Sequence, residues 1–198
     1  MRPITVTLQA FGSYGRKVTI DFTRARNNLF LVTGDTGAGK TTIFDAIVFA
    51  LYGETGSSGN KKDGVELVSQ YVEVTAAKKD AEYSLRPFVE LVFSEMSGGE
   101  PQIYTITRRP RFVRPARRKN AKPQQEKEIV TLTLPDGTEY PGGTDATNKK
   151  IEEITGLTKS QFMQVAMIAQ GEFMELLRVP SDEKKVIFRK LFGTELFP

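Results

Sequence analysis

Gly34-Asp35-Thr36-Gly37-Ala38-Gly39-Lys40-Thr41 is the stretch on which the reading of this chain turns. It satisfies every fixed position of G-x-x-x-x-G-K-[ST]. Ahead of it, Asn28-Leu29-Phe30-Leu31-Val32-Thr33 is almost continuously apolar, as in a strand buried on both faces. Behind it, a helix is predicted from about Lys40 to Tyr52. Ile43, Phe44, Ile47, Val48 and Leu51 supply the helical repeat, and Ala46, Phe49 and Ala50 make the other side apolar too. Such a helix is a buried one, and Gly53 is placed to stop it. Glycines let the loop backbone curl so that successive N–H groups face one concavity, at a helix N-terminus that attracts anions. The spacing therefore predicts a cradle for the phosphates of a nucleoside triphosphate, made by Gly34, Asp35, Thr36, Gly37, Ala38, Gly39, Lys40, Thr41 and Thr42. Lys40 would set its ammonium against the terminal phosphates and Thr41 its hydroxyl on Mg²⁺. Thr42 lies in the first helical turn, where its N–H reaches an inner phosphate.

Composition narrows the chemistry. The chain has 198 residues, 39% of them hydrophobic and 26% charged, enough for one sizeable domain or part of a larger protein. It has no cysteine and no histidine, which excludes disulfides, thiolate metal sites and histidine catalysis within it. Backbone amides, lysine, hydroxyls, carboxamides and carboxylates remain, and these suit phosphate and magnesium chemistry. No run of eighteen apolar residues exists, so no membrane partner is expected. Met1-Arg2-Pro3-Ile4 lacks the apolar core of a signal peptide, and a cytoplasmic location is expected.

Outward from the glycine loop, alternation predicts strands at Ile4-Thr5-Val6-Thr7-Leu8 and Lys17-Val18-Thr19-Ile20-Asp21-Phe22, with turn residues Gly12-Ser13-Tyr14-Gly15 between them. A hairpin is predicted from residues 88–93 and 102–107 around Ser97-Gly98-Gly99, and another strand at residues 129–134, ended by Pro135-Asp136-Gly137. The last fifty residues read as helical. A short helix covers residues 148–154 and stops at Gly156, and Thr158-Lys159-Ser160-Gln161 has the form of a capping box, with Leu157 and Phe162 as a staple. A further helix is expected between Ser181 and Gly193.

The net charge of +4 is uneven. Residues 108–122, RRPRFVRPARRKNAK, hold eight basic residues and no acid: Arg108, Arg109, Arg111, Arg114, Arg117, Arg118, Lys119 and Lys122. Without them the chain would be net acidic. The stretch reads equally as a solvated loop or as a patch for DNA phosphates.

A glycine loop of this kind serves kinases, GTPases, transporters and repair motors alike. The rest of the chain discriminates. ITVTLQAFGSYGRKVTIDF at residues 4–22, GDTGAGKTTIFDAIVFALYGE at 34–54, IAQGEFMELL at 168–177 and SDEKKVIFRKLFGTELF at 181–197 together resemble the SbcC family of SMC-like ATPases. The resemblance covers essentially the whole chain in order. It implies an α/β fold, the P-loop NTPase lobe of an ABC-type ATPase head. A mixed central sheet would centre on the P-loop strand, with an antiparallel β portion and a C-terminal helical subdomain. On this reading residues 1–198 are an N-terminal lobe, with the P-loop and β portion at about 1–145 and a helical segment at about 146–198 leading toward a coiled coil. The implied cofactors are ATP and Mg²⁺, and the implied activity is ATP hydrolysis. The implied partners are the C-terminal lobe of the same parent protein, a second head in a homodimer, an SbcD-type nuclease, and DNA.

The resemblance also gives Gln170 a role: in such heads the matching glutamine contacts Mg²⁺ and the attacking water. Its carboxamide has the acceptor and donors for that, although from the residues alone it reads as an ordinary helix-end glutamine. Met96-Ser97-Gly98-Gly99-Glu100 looks like an ABC signature, but it lies between alternating strands and precedes Pro101, so a hairpin turn is predicted. Gly12 stands where other members carry a nucleotide-approaching arginine, so no base-contacting residue is assigned, and adenine over guanine rests on the resemblance. No apolar strand ending in Asp-Glu follows the P-loop, and neither heptads nor Cys-x-x-Cys appear. A fragment of a longer protein is expected. Two rivals stay open. One is a stand-alone small P-loop NTPase or kinase, though Asn148-Lys149-Lys150-Ile151 fails the Asn-Lys-x-Asp guanine motif. The other is a non-hydrolysing, nucleotide-dependent interaction module.

Overall fold

The computed structural model describes residues 1–24, 30–55, 64–70, 72, 86–114 and 124–166. The chain divides into two compact units, Met1–Ile154 and Thr155–Pro198.

The first unit is organised by a five-stranded antiparallel sheet of β1 (Arg2–Gln9), β2 (Val18–Asp21), β3 (Phe88–Ser97), β4 (Glu100–Arg109) and β7 (Ile129–Thr133), in the order β2-β1-β3-β4-β7. Alternation sets its two faces. Val6, Leu8, Val89, Leu91, Phe93, Ile106, Val130 and Leu132 point inward and are buried. Thr5, Thr19, Val92, Ser94, Thr105, Thr107 and Thr131 alternate with them on the other face, where threonine suits a pleated surface. Each fully buried aliphatic or aromatic side chain contributes about 1.5–3 kcal/mol, so this face drives the assembly of the unit.

The β3–β4 connection tests the look-alike signature. Ser97 pairs with Glu100, leaving Gly98 and Gly99 at φ 62° and 88° as a two-residue hairpin turn. Right-handed strand twist favours this turn and it demands positive φ at both central positions. No helix starts there, so the backbone amides are not arranged to face an opposing nucleotide.

Helix α1 (Lys40–Tyr52) packs on the inner face, touching β1, β3 and β4. Ile43, Ala46, Ile47, Val48, Phe49, Ala50 and Leu51 are buried, as its apolar composition requires. Gly53, at φ 76°, ends it with its N–H donating to the Phe49 carbonyl. Near its start Thr42 abuts Gly12, just beyond β1; near its end Ala50 and Leu51 meet Arg108 of β4. From Thr42 to Ala50 the helix rises about 12 Å, and β1 and β4 lie two strand spacings, about 10 Å, apart. The helix thus runs from the turn after β1 to β4.

Three expectations are corrected. Residues 30–33 form no strand: Leu31 is 86% exposed and Phe30 42%. A strand apolar on both faces requires neighbours on both sides, and none of the described strands pairs with this run. The α/β class stands, but every pairing among the described strands is antiparallel rather than mixed. The basic stretch, moreover, does not begin as a plain loop. Arg108 and Arg109 end β4, and β5 (Phe112–Arg114) follows, paired with β6 (Gln124–Glu126) in a two-stranded ribbon.

Helix α2 spans Thr144–Thr155, starting four residues before the predicted Asn148. Thr144-Asp145-Ala146-Thr147 is too polar for the apolar repeat to mark it, but Asp145 suits a first helical turn and Thr147 is buried. Gly156, at φ 67°, follows as expected.

In the second unit, α3 (Lys159–Ala166) opens on the predicted capping box. Thr158 Oγ1 accepts from the Gln161 N–H at 3.4 Å, and Gln161 Oε1 accepts from the Thr158 N–H at 3.0 Å. The helix expected between Ser181 and Gly193 lies outside the described residues.

Candidate nucleotide-binding site

The glycine loop leads directly into α1. Asp35, Thr36, Gly37 and Ala38 are exposed, and the Ala38 N–H closes a tight turn onto the Asp35 carbonyl at 3.1 Å. Gly39 is the N-cap residue at φ 89°, a left-handed conformation that an L side chain resists. A Cβ there would also approach the Tyr14 ring at 3.0 Å and Ser13 Cβ at 3.1 Å. The Tyr14 hydroxyl donates to the Gly39 carbonyl at 3.4 Å. The turn after β1 thus braces the loop. Phe11 and Tyr14 exchange backbone hydrogen bonds at 2.9 Å, the Gly12 N–H donates to the Leu67 carbonyl at 2.7 Å, and the Phe11 ring lies 5.3 Å from that of Phe49.

The start of α1 is prepared for an anion. It has no side-chain cap and no acid in its first turn. The first N–H groups of a helix have no partner within it, so those of Lys40, Thr41 and Thr42 are open to a ligand. Lys40 Nζ donates to the carbonyls of Gly34 at 2.6 Å and Asp35 at 2.7 Å. An ammonium carries three N–H groups, so one remains to meet a phosphate oxygen. Thr41 is exposed, while Thr42 is half-buried against Gly12. The residues predicted from 34 to 42 are thus contiguous in space, and their donor set fits a polyphosphate. Gln170 lies outside the described residues.

The basic stretch is split by the fold. Arg108 does not belong to a solvent-facing patch: it is completely buried. Its Nε donates to Ala50 O at 3.0 Å, Nη2 to Leu51 O at 3.1 Å and to Asn148 Oδ1 at 2.7 Å, and Nη1 to Glu128 Oε1 at 2.5 Å. Position alternates along β4, so Arg108 shares the inward face with Ile106, and the helix-end carbonyls make burial of its charge tolerable. Burial draws its pKa down from the ordinary arginine value, and Glu128 pulls it back up.

Arg109 and Arg111 are exposed, and Arg114 follows on β5. Arg117, Arg118, Lys119 and Lys122 lie outside the described residues. Pairing adds basic residues that sequence reading missed. Arg109 is opposite Ile129, and Phe88 is opposite Gln9. The chain just before β2, β3 and β7 therefore meets the end of β4, which brings exposed Arg16, Lys17, Arg86 and Lys127 to the end of the sheet that carries Arg109. They are scattered over more than a hundred positions, so no local charge run marks them.

A cavity of about 570 Å³ opens at the other end of α1, lined among others by Tyr52, Gly53, Glu54, Glu128 and Asn148. It includes none of the glycine-loop residues, of which 34–38 are exposed. Among the described residues no helix is long and apolar enough to cross a membrane, and no three acidic, histidine or cysteine side chains cluster for a metal.

A family model described as "AAA domain" matches residues 5–195. The SbcC component of the SbcCD nuclease of Vibrio cholerae is 37% identical across the whole chain, that of Staphylococcus saprophyticus 34%, and that of Rhodobacter capsulatus 31%. The chain spans 18%, 18% and 16% of the lengths of these curated relatives. A solved structure described as "Structural biochemistry of ATP-driven dimerization and DNA stimulated activation of SMC ATPases" is 18% identical, with a TM-score of 0.44 over 95% of this chain and 98% of that one. The SMC head domain from Thermotoga maritima is 19% identical, with a TM-score of 0.39 over 77% and 41%. The chain belongs to the AAA-domain family, as a homologue of the N-terminal ATPase lobe of SbcC.

Proposed function

We propose that this chain is the ATP-binding half of a DNA-repair ATPase head. Gly34 to Thr42 hold the triphosphate of MgATP, with Lys40 on the outer phosphates. The Thr41 hydroxyl and the Gln170 carboxamide serve the metal. Bound Mg²⁺ would offset phosphate charge. The observation that carries this reading is the complete glycine loop opening onto a helix that has no cap of its own, braced by the turn after β1. The similarity to SbcC proteins along the whole of this chain supports adenine as the base and a C-terminal lobe of the same parent protein as its neighbour. On the same basis the head closes against a second copy, works with an SbcD-type nuclease at DNA ends, and resides in the cytoplasm. Phosphoryl transfer needs an oriented water and stabilised transition-state charge. Lys40, Thr41 and Gln170 supply only part of that, and the remaining acids come from the other lobe.

The test is phosphate release from the chain alone, from the chain with the C-terminal lobe of an SbcC protein, and from each with Lys40→Ala. The chain alone is expected to be nearly inactive, and the combination active and Lys40-dependent. Equal Lys40-dependent hydrolysis by the chain alone would instead make it a stand-alone NTPase. Binding without turnover in every mixture would make it an interaction module.

A second element of the proposal concerns DNA. Arg109, Arg111, Arg114, Arg117, Arg118, Lys119 and Lys122 bind its phosphates. The collection of Arg16, Lys17, Arg86 and Lys127 at the end of the sheet that carries Arg109 favours this over a solvated loop.

A further inference from the structure

Among the described residues Arg108 is the only buried charged side chain. Its placement relative to α1 is specific. By its own sequence α1 has no acid in the first turn and no base in the last, so neither end is served by a local charge. The first turn faces the glycine loop. At the far end the Ala50 and Leu51 carbonyls are met by the Arg108 guanidinium, which belongs to β4. A cation there complements the helix dipole as an anion does at the other end. Gly53 keeps this end open: a Cβ would lie 2.9 Å from Arg108 Nη1 and 3.0 Å from Glu128 Oε1.

The same guanidinium also holds Asn148 of α2, through the Nη2 that binds the Leu51 carbonyl. A guanidinium is planar and presents its N–H groups at fixed angles, so a shift of the α1 carbonyls is passed to whatever else it grips. Thirteen residues of helix make a rod about 20 Å long that moves as one body. In chain order, α2 leads out of the first unit.

We propose that Arg108 and Asn148 form a joint through which anion binding at the glycine loop is felt by α2. Arg108 is a positioning residue here, acting through α1. The inference rests on the reading of the loop as a phosphate site.

Hydrogen exchange of the chain with and without saturating MgATP tests it, followed in peptides covering residues 34–52 and 144–155. In the wild type both regions slow, with α2 slowing by at least about fivefold, the low end of ordinary coupling between sites. Asn148→Ala keeps the slowing at 34–52 and loses it at 144–155. Asn148→Asp, which retains the acceptor, restores it. Thermal melts of all three confirm a folded chain, so loss of structure cannot mimic the result. If α2 does not respond in the wild type while the loop does, or still responds in Asn148→Ala, the joint is refuted and Arg108 is a static staple. If residues 34–52 themselves do not respond, the phosphate-site reading fails and the joint with it.

Discussion

Lys40 illustrates what a single residue contributes to the proposed site. Its ammonium is already held by the Gly34 and Asp35 carbonyls, so its position is set before a phosphate arrives. Charge-assisted hydrogen bonds are worth about 1.5–3 kcal/mol each. Lys40→Ala is therefore expected to weaken MgATP binding by roughly one to two orders of magnitude. Isothermal titration of folded wild type and variant measures this, and equal affinities would remove Lys40 from the site. Gly12 acts by what it lacks. It sits at φ 52°, and a Cβ would fall 2.5 Å from Thr42 Cγ2. Gly12→Ala adds left-handed strain and an overlap at the first turn of α1, costing about 1–3 kcal/mol. Thr42→Ser removes the offending methyl, so the double variant should recover part of that loss in urea unfolding while the backbone strain stays. A double variant no better than Gly12→Ala would mean that the overlap is relieved some other way.

At the scale of elements, α1, β4, α2 and the segment before β7 meet at Arg108. Replacing one partner of a buried ion pair leaves the other unsatisfied, which is why such changes cost more than the pair contributes. Arg108→Met strands the Ala50 and Leu51 carbonyls, Asn148 Oδ1 and Glu128. Glu128 is 28% exposed, so water relieves part of the penalty. A loss of roughly 3 kcal/mol in urea unfolding is expected. Adding Glu128→Gln should return some of it by removing the unpaired charge. Arg109→Ser, one residue along on the exposed face, should change stability by less than about 0.5 kcal/mol. If Arg108→Met and Arg109→Ser proved equally mild, the described burial of Arg108 would be wrong.

Among the described residues of the first unit, exposed basic side chains gather toward one end of the sheet, although Glu126 and Glu128 flank Lys127 there. Arg16, Lys17, Arg86, Arg109, Arg111 and Lys127 lie toward one end of the sheet. Asp21, Glu95, Glu100, Asp136 and Glu139 lie toward the other, among Arg2 and Arg24. A basic end that carries Arg109 and Arg111 favours a polyanion there. If that polyanion is duplex DNA, each neutralised phosphate adds about −0.9 to the slope of log affinity against log salt. Replacing Arg114, Arg117, Arg118 and Lys119 by Ser should flatten the slope by up to about 3.6 units. The same slope and affinity before and after would return the stretch to a solvated segment.

Consecutive residues alone determined much of this protein. The glycine loop, α1 with its stop at Gly53, the strands of the sheet, the Gly98-Gly99 turn and the Thr158–Gln161 capping box were legible because each is specified within a few positions by periodicity or a special φ. Residues 30–33 form no strand although their apolar run predicts one, since such a run tells which surfaces want burial but not whether a neighbouring strand is there to bury them. The role of Gln170, outside the described residues, still rests on similarity. Only the tertiary structure decided that Arg108 leaves the basic stretch it begins. The residues after it, Arg109 and Pro110, are like those further on, whereas its partners are 20 to 58 positions away. Charge is a local property of sequence, but whether a charge is solvated, paired or locked under a helix end depends on which distant carbonyls and carboxylates the fold brings within hydrogen-bonding reach.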